Sequence, residues 1–165
     1  MDTRWNPNVT VAAVIEQHGR FLLVEEHTPE GLRLNNPAGH LDAAESPAQG
    51  CSRVVLEETA YAFTPNYLVG LYLSRFQRQR ADTLEDVTYL RFAYAGTLGA
   101  FDAGRTLDTG IERTVWLSAD ELRASHARHR SPLVLQCMED YLRGQRYPLE
   151  LVYADASLWN PATPL

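Results

Sequence analysis

No run of apolar residues in this chain is long enough to read as a membrane span. Val11–Ile15 and Phe21–Val24 fall far short of the roughly 20 residues a bilayer crossing needs. The N-terminal stretch, with Asp2 and Arg4, lacks an apolar run of signal-peptide length, so a cytoplasmic protein is expected. Cysteine is scarce. Cys51 and Cys137 stand in no metal-type spacing and fall within predicted helices, where they are expected as small buried hydrophobes in a reduced compartment. A basic excess is also lacking: 15 Lys+Arg against 21 Asp+Glu give a formal charge of −6. That balance argues against general affinity for nucleic-acid polymers or anionic membranes. There is no repeat and no low-complexity segment. What remains is 165 residues, 45% apolar and 22% charged, expected to form one domain over 1–165 with a proper core.

The β-branched run Val9–Ile15, the turn residues His18-Gly19 and the apolar run Phe21–Val24 predict a hairpin. Asn36-Pro37-Ala38-Gly39 ends any regular element and starts a loop. A helix then has a clear start. Ser46 suits the cap, Pro47 the first turn, and Gln49 stands in capping-box register. At about 100° per residue, Ala48, Cys51, Ser52, Val55 and Thr59 form one face able to meet a sheet. Glu57 and Glu58 are expected on another side, and Val54 between them, outside the core face. Tyr67–Phe76 and Val87–Ala95 predict two strands joined by a polar loop, 77–86, followed by an irregular stretch, 96–111. Thr114–Leu117 predicts a short strand, and Ser118 with Glu121 a second capping box. A last helix is expected from Ser131-Pro132 to about Arg143-Gly144. Strands on both sides of a central helix, with further helices, suggest an α/β/α sandwich.

Adjacent carboxylates in the last turn of a helix are locally unfavourable, each by about 0.3–1 kcal/mol when exposed, because that end carries partial negative charge. A divalent cation reverses the sign. Mg²⁺ suits hard oxygen ligands and completes its shell with water and substrate phosphates. A solvated acidic patch is the plainer alternative for an isolated Glu57-Glu58. Here, however, Gly39, Glu45, Arg53, Val55, Glu57 and Glu58 stand together at a spacing that resembles the Nudix box, Gly-x5-Glu-x7-Arg-Glu-U-x-Glu-Glu-x-Gly-U, with U a bulky apolar residue.

The resemblance to the Nudix hydrolase family implies an α/β/α sandwich with a mixed sheet. It also implies water attack on a phosphorus of a diphosphate compound, with Mg²⁺ or Mn²⁺ as cofactor. Carried over, Glu57 and Glu58 match metal-binding or base positions and Arg53 the arginine that positions them. Ala38 matches a backbone carbonyl ligand beside Gly39, and Glu45 a carboxylate that holds the loop and the arginine. A solvent-exposed loop carboxylate is the competing reading of Glu45.

The sequence departs from the box twice, with Val54 at a metal-ligand glutamate and Ala60 at the helix-exit glycine. Either a carboxylate from a loop compensates, with Glu85, Asp86, Asp108 and Glu112 as candidates, or the protein is a catalytically weakened nucleotide-binding or sensor protein. If residue 60 is left-handed, alanine there costs roughly 1 kcal/mol relative to glycine.

The tail Ser131–Val134 with Tyr141–Glu150 is similar to the NudJ phosphatase branch of the family. That likeness implies nucleoside di- and triphosphates or hydroxymethylpyrimidine pyrophosphate as small-molecule substrates, handled by a monomer or homodimer. Tyr72, Phe76, Tyr89 and Phe92 are candidates for stacking on a ring, although strand packing explains most such aromatics. Arg75, Arg78, Arg80 and Arg91 are candidates for pairing phosphates. His40 is a further candidate for substrate contact, and Trp116 reads as core.

Overall fold

The computed structural model describes residues 4–164. Among the described residues, two four-stranded sheets and three α-helices are laid out in the order β1 (Asn8–Val14), β2 (Glu16–Gln17), β3 (Arg20–Thr28), β4 (Gly31–Asn35), β5 (Ala38–His40), α1 (Pro47–Thr59), β6 (Tyr61–Arg80), β7 (Thr83–Phe101), β8 (Ile111–Ser118), α2 (Ala119–Ala124) and α3 (Leu133–Leu142). The first sheet is mixed, in the order β5-β1-β7-β6, with β1 parallel to β7 and the other pairs antiparallel. The second is antiparallel, with β3 flanked by β4 and β8 and its start paired to β2.

Strand alternation places the core on both faces of the mixed sheet. Val11, Ala13, Leu68 and Tyr94 pack with Cys51, Val54 and Val55 of α1. Val14, Val69, Ala93 and Ala95, from the opposite phase, pack with Leu133, Val134, Cys137 and Met138 of α3. The result is the expected α/β arrangement, a mixed sheet between helices.

The predicted hairpin forms only in part. His18 and Gly19 both take positive φ (51° and 76°), as a tight hairpin turn requires, and join β2 to β3. β1 itself crosses to the other sheet, between β5 and β7, so Val9–Val14 and Phe21–Val24 are not partners. The expected loop 77–86 is strand as well. β6 and β7 stay in register to Arg80↔Thr83, because cross-strand ion pairs Arg75–Asp86 and Arg78–Glu85 stabilise a ribbon that has no apolar face to announce it. The stretch expected to be irregular from 96 is β7 as far as Phe101, and β8 is longer than Thr114–Leu117.

Candidate active site

The segment carrying the box is built from strong local signals. Ser46 accepts from the Gln49 N–H (3.2 Å) while Gln49 Oε1 accepts from the Ser46 N–H (2.9 Å), so the capping box forms and Pro47 opens α1. One turn later Arg53 reaches back over the loop. Its Nε and Nη2 donate to the two oxygens of Glu45 (3.0 and 2.7 Å), Nη1 donates to Glu57 Oε2 (3.0 Å), and Nη2 donates to the His40 carbonyl (3.0 Å). Glu45 also accepts from the Asp42 N–H (2.8 Å). These Arg53 bonds hold the Glu45 carboxyl below the usual carboxylate range, against a burial that opposes them. Loop, strand end and helix are thereby tied to one guanidinium.

Glu58 sits differently from its neighbour. It is 8% exposed, on the same face of α1 as Cys51, Val54 and Val55 rather than on the separate side expected. The Ala38 N–H donates to its Oε2 (3.0 Å). Burial pushes its carboxyl up to about 8; the Ala38 bond opposes the rise, and the charges of Glu26, Asp108 and Glu57 add to it.

Val54 corrects a second expectation. It is 3% exposed and belongs to the apolar core, with its methyls lying under Gly39. A Cβ added at Gly39 would stand 2.9 Å from Val54 Cγ2. The position that carries a ligand glutamate in the box pattern is here a packing position. Ala60, by contrast, has the left-handed conformation that the pattern implies, at φ 63°.

The four candidate substitute carboxylates separate clearly. Glu85 and Asp86 are strand residues of β7, paired with Arg78 and Arg75 across the ribbon. Glu112 is on β8 and meets His27 Nε2 at 2.8 Å. Only Asp108 lies in a loop against α1: its N–H donates to the Glu57 carbonyl (3.0 Å), and its charge acts on Glu58. The acidic group near Glu58 that sequence reasoning missed is Glu26 of β3, held by Asn35 Nδ2 (3.3 Å) and Arg130 (3.4 Å). Glu25-Glu26 closes an apolar strand, and alternation requires one of the two to face inward. That was the available signal, but nothing local says which face meets α1.

Among the aromatics, Tyr72 is buried and donates to Asp140 Oδ2 (2.8 Å), and Phe92 packs against the α1-side core. Phe76 and Tyr89 stack on each other, centroids 5.7 Å apart, with His40 at 6.0 Å from Tyr89. Arg80 joins the Glu85 pair, whereas Arg91 is buried. Trp116 packs on the α1-side core.

Among the described residues, no three acidic, histidine or cysteine side chains converge closely enough to hold a metal ion unaided. Mg²⁺ needs no such cage, since one or two carboxylates plus substrate phosphates complete its octahedron. Glu58, a buried carboxylate facing three like charges, is a group whose ionised form a cation would favour. The donor set fits a phosphate-bridged divalent cation and not a cage made by protein alone.

Comparison with known proteins identifies the family. The NUDIX domain family model matches residues 4–137. Phosphatase NudJ of Escherichia coli (strain K12) is 35% identical over 149 residues, spanning 90% of this chain and 92% of that protein. A solved structure, the NUDIX hydrolase from Nitrosomonas europaea, shares 52% identity at a TM-score of 0.80, over 91% of this chain and 98% of that one. MutT NUDIX hydrolase from Burkholderia pseudomallei shares the fold at 19% identity and a TM-score of 0.65, over 82% and 98% of the two chains. The chain belongs to the Nudix hydrolase family. Within it, the chain is similar to phosphatase NudJ over nearly its whole length.

Proposed function

We propose that this Nudix hydrolase cleaves phosphoanhydride bonds in small molecules. The substrate class is nucleoside di- and triphosphates or compounds like hydroxymethylpyrimidine pyrophosphate, with Mg²⁺ or Mn²⁺ as cofactor. It works as a monomer or homodimer in the cytoplasm, without nucleic-acid or membrane partners. Among the described residues, no helix is long and apolar enough to cross a membrane.

The observation that carries this reading is the division of labour between Glu57 and Glu58. Arg53 holds Glu57 at the surface of α1, while Glu58 is buried against the Ala38 N–H beside Glu26 and Asp108. In the proposal Glu58, Glu57 and the Ala38 carbonyl hold the cation. A cation held there would polarise a phosphate oxygen and lower the pKa of a coordinated water. Glu58 Oε2, which accepts from the Ala38 N–H, has a second lone pair that would hold the cation, so Oε1 would be the oxygen that takes a proton from the attacking water. Arg53 holds Glu45 and the His40 carbonyl, and keeps the loop closed on the helix.

The test is phosphate release with and without Mg²⁺ and Mn²⁺ over a panel of nucleoside di- and triphosphates and hydroxymethylpyrimidine pyrophosphate. Metal-dependent turnover that falls about 10²-fold or more in Glu58→Gln is expected. The second reading, a catalytically weakened nucleotide-binding or sensor protein, draws on Val54, which has no donor atom and is packed into the core. Nucleotide binding without turnover by the wild type would select it.

A further inference from the structure

Arg91 of β7 is 7% exposed. A buried guanidinium is costly unless it is hydrogen-bonded and its charge is compensated. Among the described residues, no carboxylate lies within ion-pair distance of it, and Asp140, in the same buried region, is taken by Tyr72, Gln136 and Arg143. The partners of Arg91 are neutral. Nη1 donates to Asn36 Oδ1 (3.2 Å) and Nη2 donates to Asn35 Oδ1 (3.3 Å), so one planar fork holds two consecutive side chains.

Both asparagines lead to the acidic cluster. Asn35 Nδ2 donates to Glu26 Oε1 (3.3 Å). Asn36 leads through Pro37, whose carbonyl accepts from the Ala13 N–H (2.9 Å), to Ala38 and its N–H on Glu58. The fork thus stands behind Glu26 on one side and Glu58 on the other. A lysine offers a single point of charge and cannot hold two acceptors at a fixed separation.

We propose that Arg91 is a positioning residue of this site, setting Glu26 and the Ala38–Glu58 contact through Asn35 and Asn36. The inference rests on the hydrolase reading for its kinetic consequence, but its structural consequence is measurable without turnover. The variants are Arg91→Lys and Arg91→Gln. Leu122→Ala, which opens a cavity in the α3-side core at α2, serves as a control for plain loss of stability.

The first readout is the Ala38 amide in ¹⁵N–¹H spectra and its hydrogen exchange, with no metal or substrate present. The second is kcat and KM with Mn²⁺. In both Arg91 variants the Ala38 amide is expected to shift and lose protection, and kcat to fall about 10- to 100-fold while KM changes by less than about threefold. Leu122→Ala is expected to leave both readouts in place.

A rise in KM with unchanged kcat would make Arg91 a substrate contact and overturn the proposal. So would an Ala38 amide that moves equally in Leu122→Ala, or not at all in the Arg91 variants. If the wild type turns nothing over, the hydrolase reading fails, and the Ala38 amide alone still decides this one. If neither Arg91 variant folds, Asn35→Ala and Asn36→Ala remove the two acceptors in turn, and the same readouts apply.

Discussion

Arg53 joins three segments, and its loss has a size and a pH signature that follow from its partners. In Arg53→Met the aliphatic stem stays and the guanidinium goes. Three bonds to carboxylate oxygens and one to the His40 carbonyl are lost, and Glu45, whose side chain is 14% exposed, is left without its cation. Removing one partner of a fully buried pair costs about 3–5 kcal/mol; partial solvent screening of Arg53 reduces this to about 2–3 kcal/mol. For a chain of this size that is a fall in Tm of roughly 4–12 °C.

The pH dependence has a definite sign. Arg53 depresses the folded-state pKa of Glu45, so the contribution is complete above the unfolded carboxylate value and disappears as pH falls through the folded one. The difference between wild type and Arg53→Met is therefore full at about pH 7 and narrows below about pH 4. Urea unfolding followed by far-UV circular dichroism at both pH values measures it. A difference under about 1 kcal/mol at neutral pH, or one that persists undiminished in acid, would refute the role assigned to the guanidinium.

The packing of Val54 under Gly39 predicts that Gly39→Ala destabilises by about 1–3 kcal/mol, since its new methyl meets Val54 Cγ2 at 2.9 Å. Val54→Ala alone is expected to cost about 2 kcal/mol, and the double variant clearly less than the sum; strict additivity would mean the two sites do not touch. Ala44 is exposed at φ 59°, so Ala44→Gly is expected to stabilise by about 0.5–1 kcal/mol, after the extra unfolded-state entropy of glycine is subtracted. Ala60→Gly is expected near zero, because Ala60 is 2% exposed and loss of its methyl, about 0.8 kcal/mol, offsets the relief at φ 63°. Thermal unfolding of the pair decides this, and equal stabilisation of both variants would remove methyl burial as the offset.

What could be read along the chain was whatever depends on near neighbours. Ser46, Pro47 and Gln49 start α1 because a cap is made within four residues, and Ser118 with Glu121 starts α2 for the same reason. The contact of Arg53 with Glu45 was implied by the Nudix resemblance, and its contact with Glu57 follows from one helical turn. His18-Gly19 announced a turn but not the partners of the strands around it, because pairing is chosen by contacts far away in the chain. The polar ribbon 77–86 read as loop, since hydrophobic alternation reports a buried face and that ribbon has none.

The acidic site shows the same boundary. Periodicity alone drew the buried face of α1 too narrow and left out Val54 and Glu58. The missing fact was that Gly39, on the edge strand β5, has no side chain and lets Val54 pack beneath it. Glu58 is perturbed because burial and charges from β3 and the 102–110 loop converge there, from residues up to fifty positions distant. No sequence spacing links Arg91 to Glu26 or to the Asn35-Asn36 pair. They meet because β3 and β4 of the antiparallel sheet close on β7 of the mixed sheet. The local code specified the helix and its arginine clasp; the electrostatics of Glu58 and the partners of Arg91 were decided by tertiary packing, since burial and long-range charge exist only once distant strands are brought together.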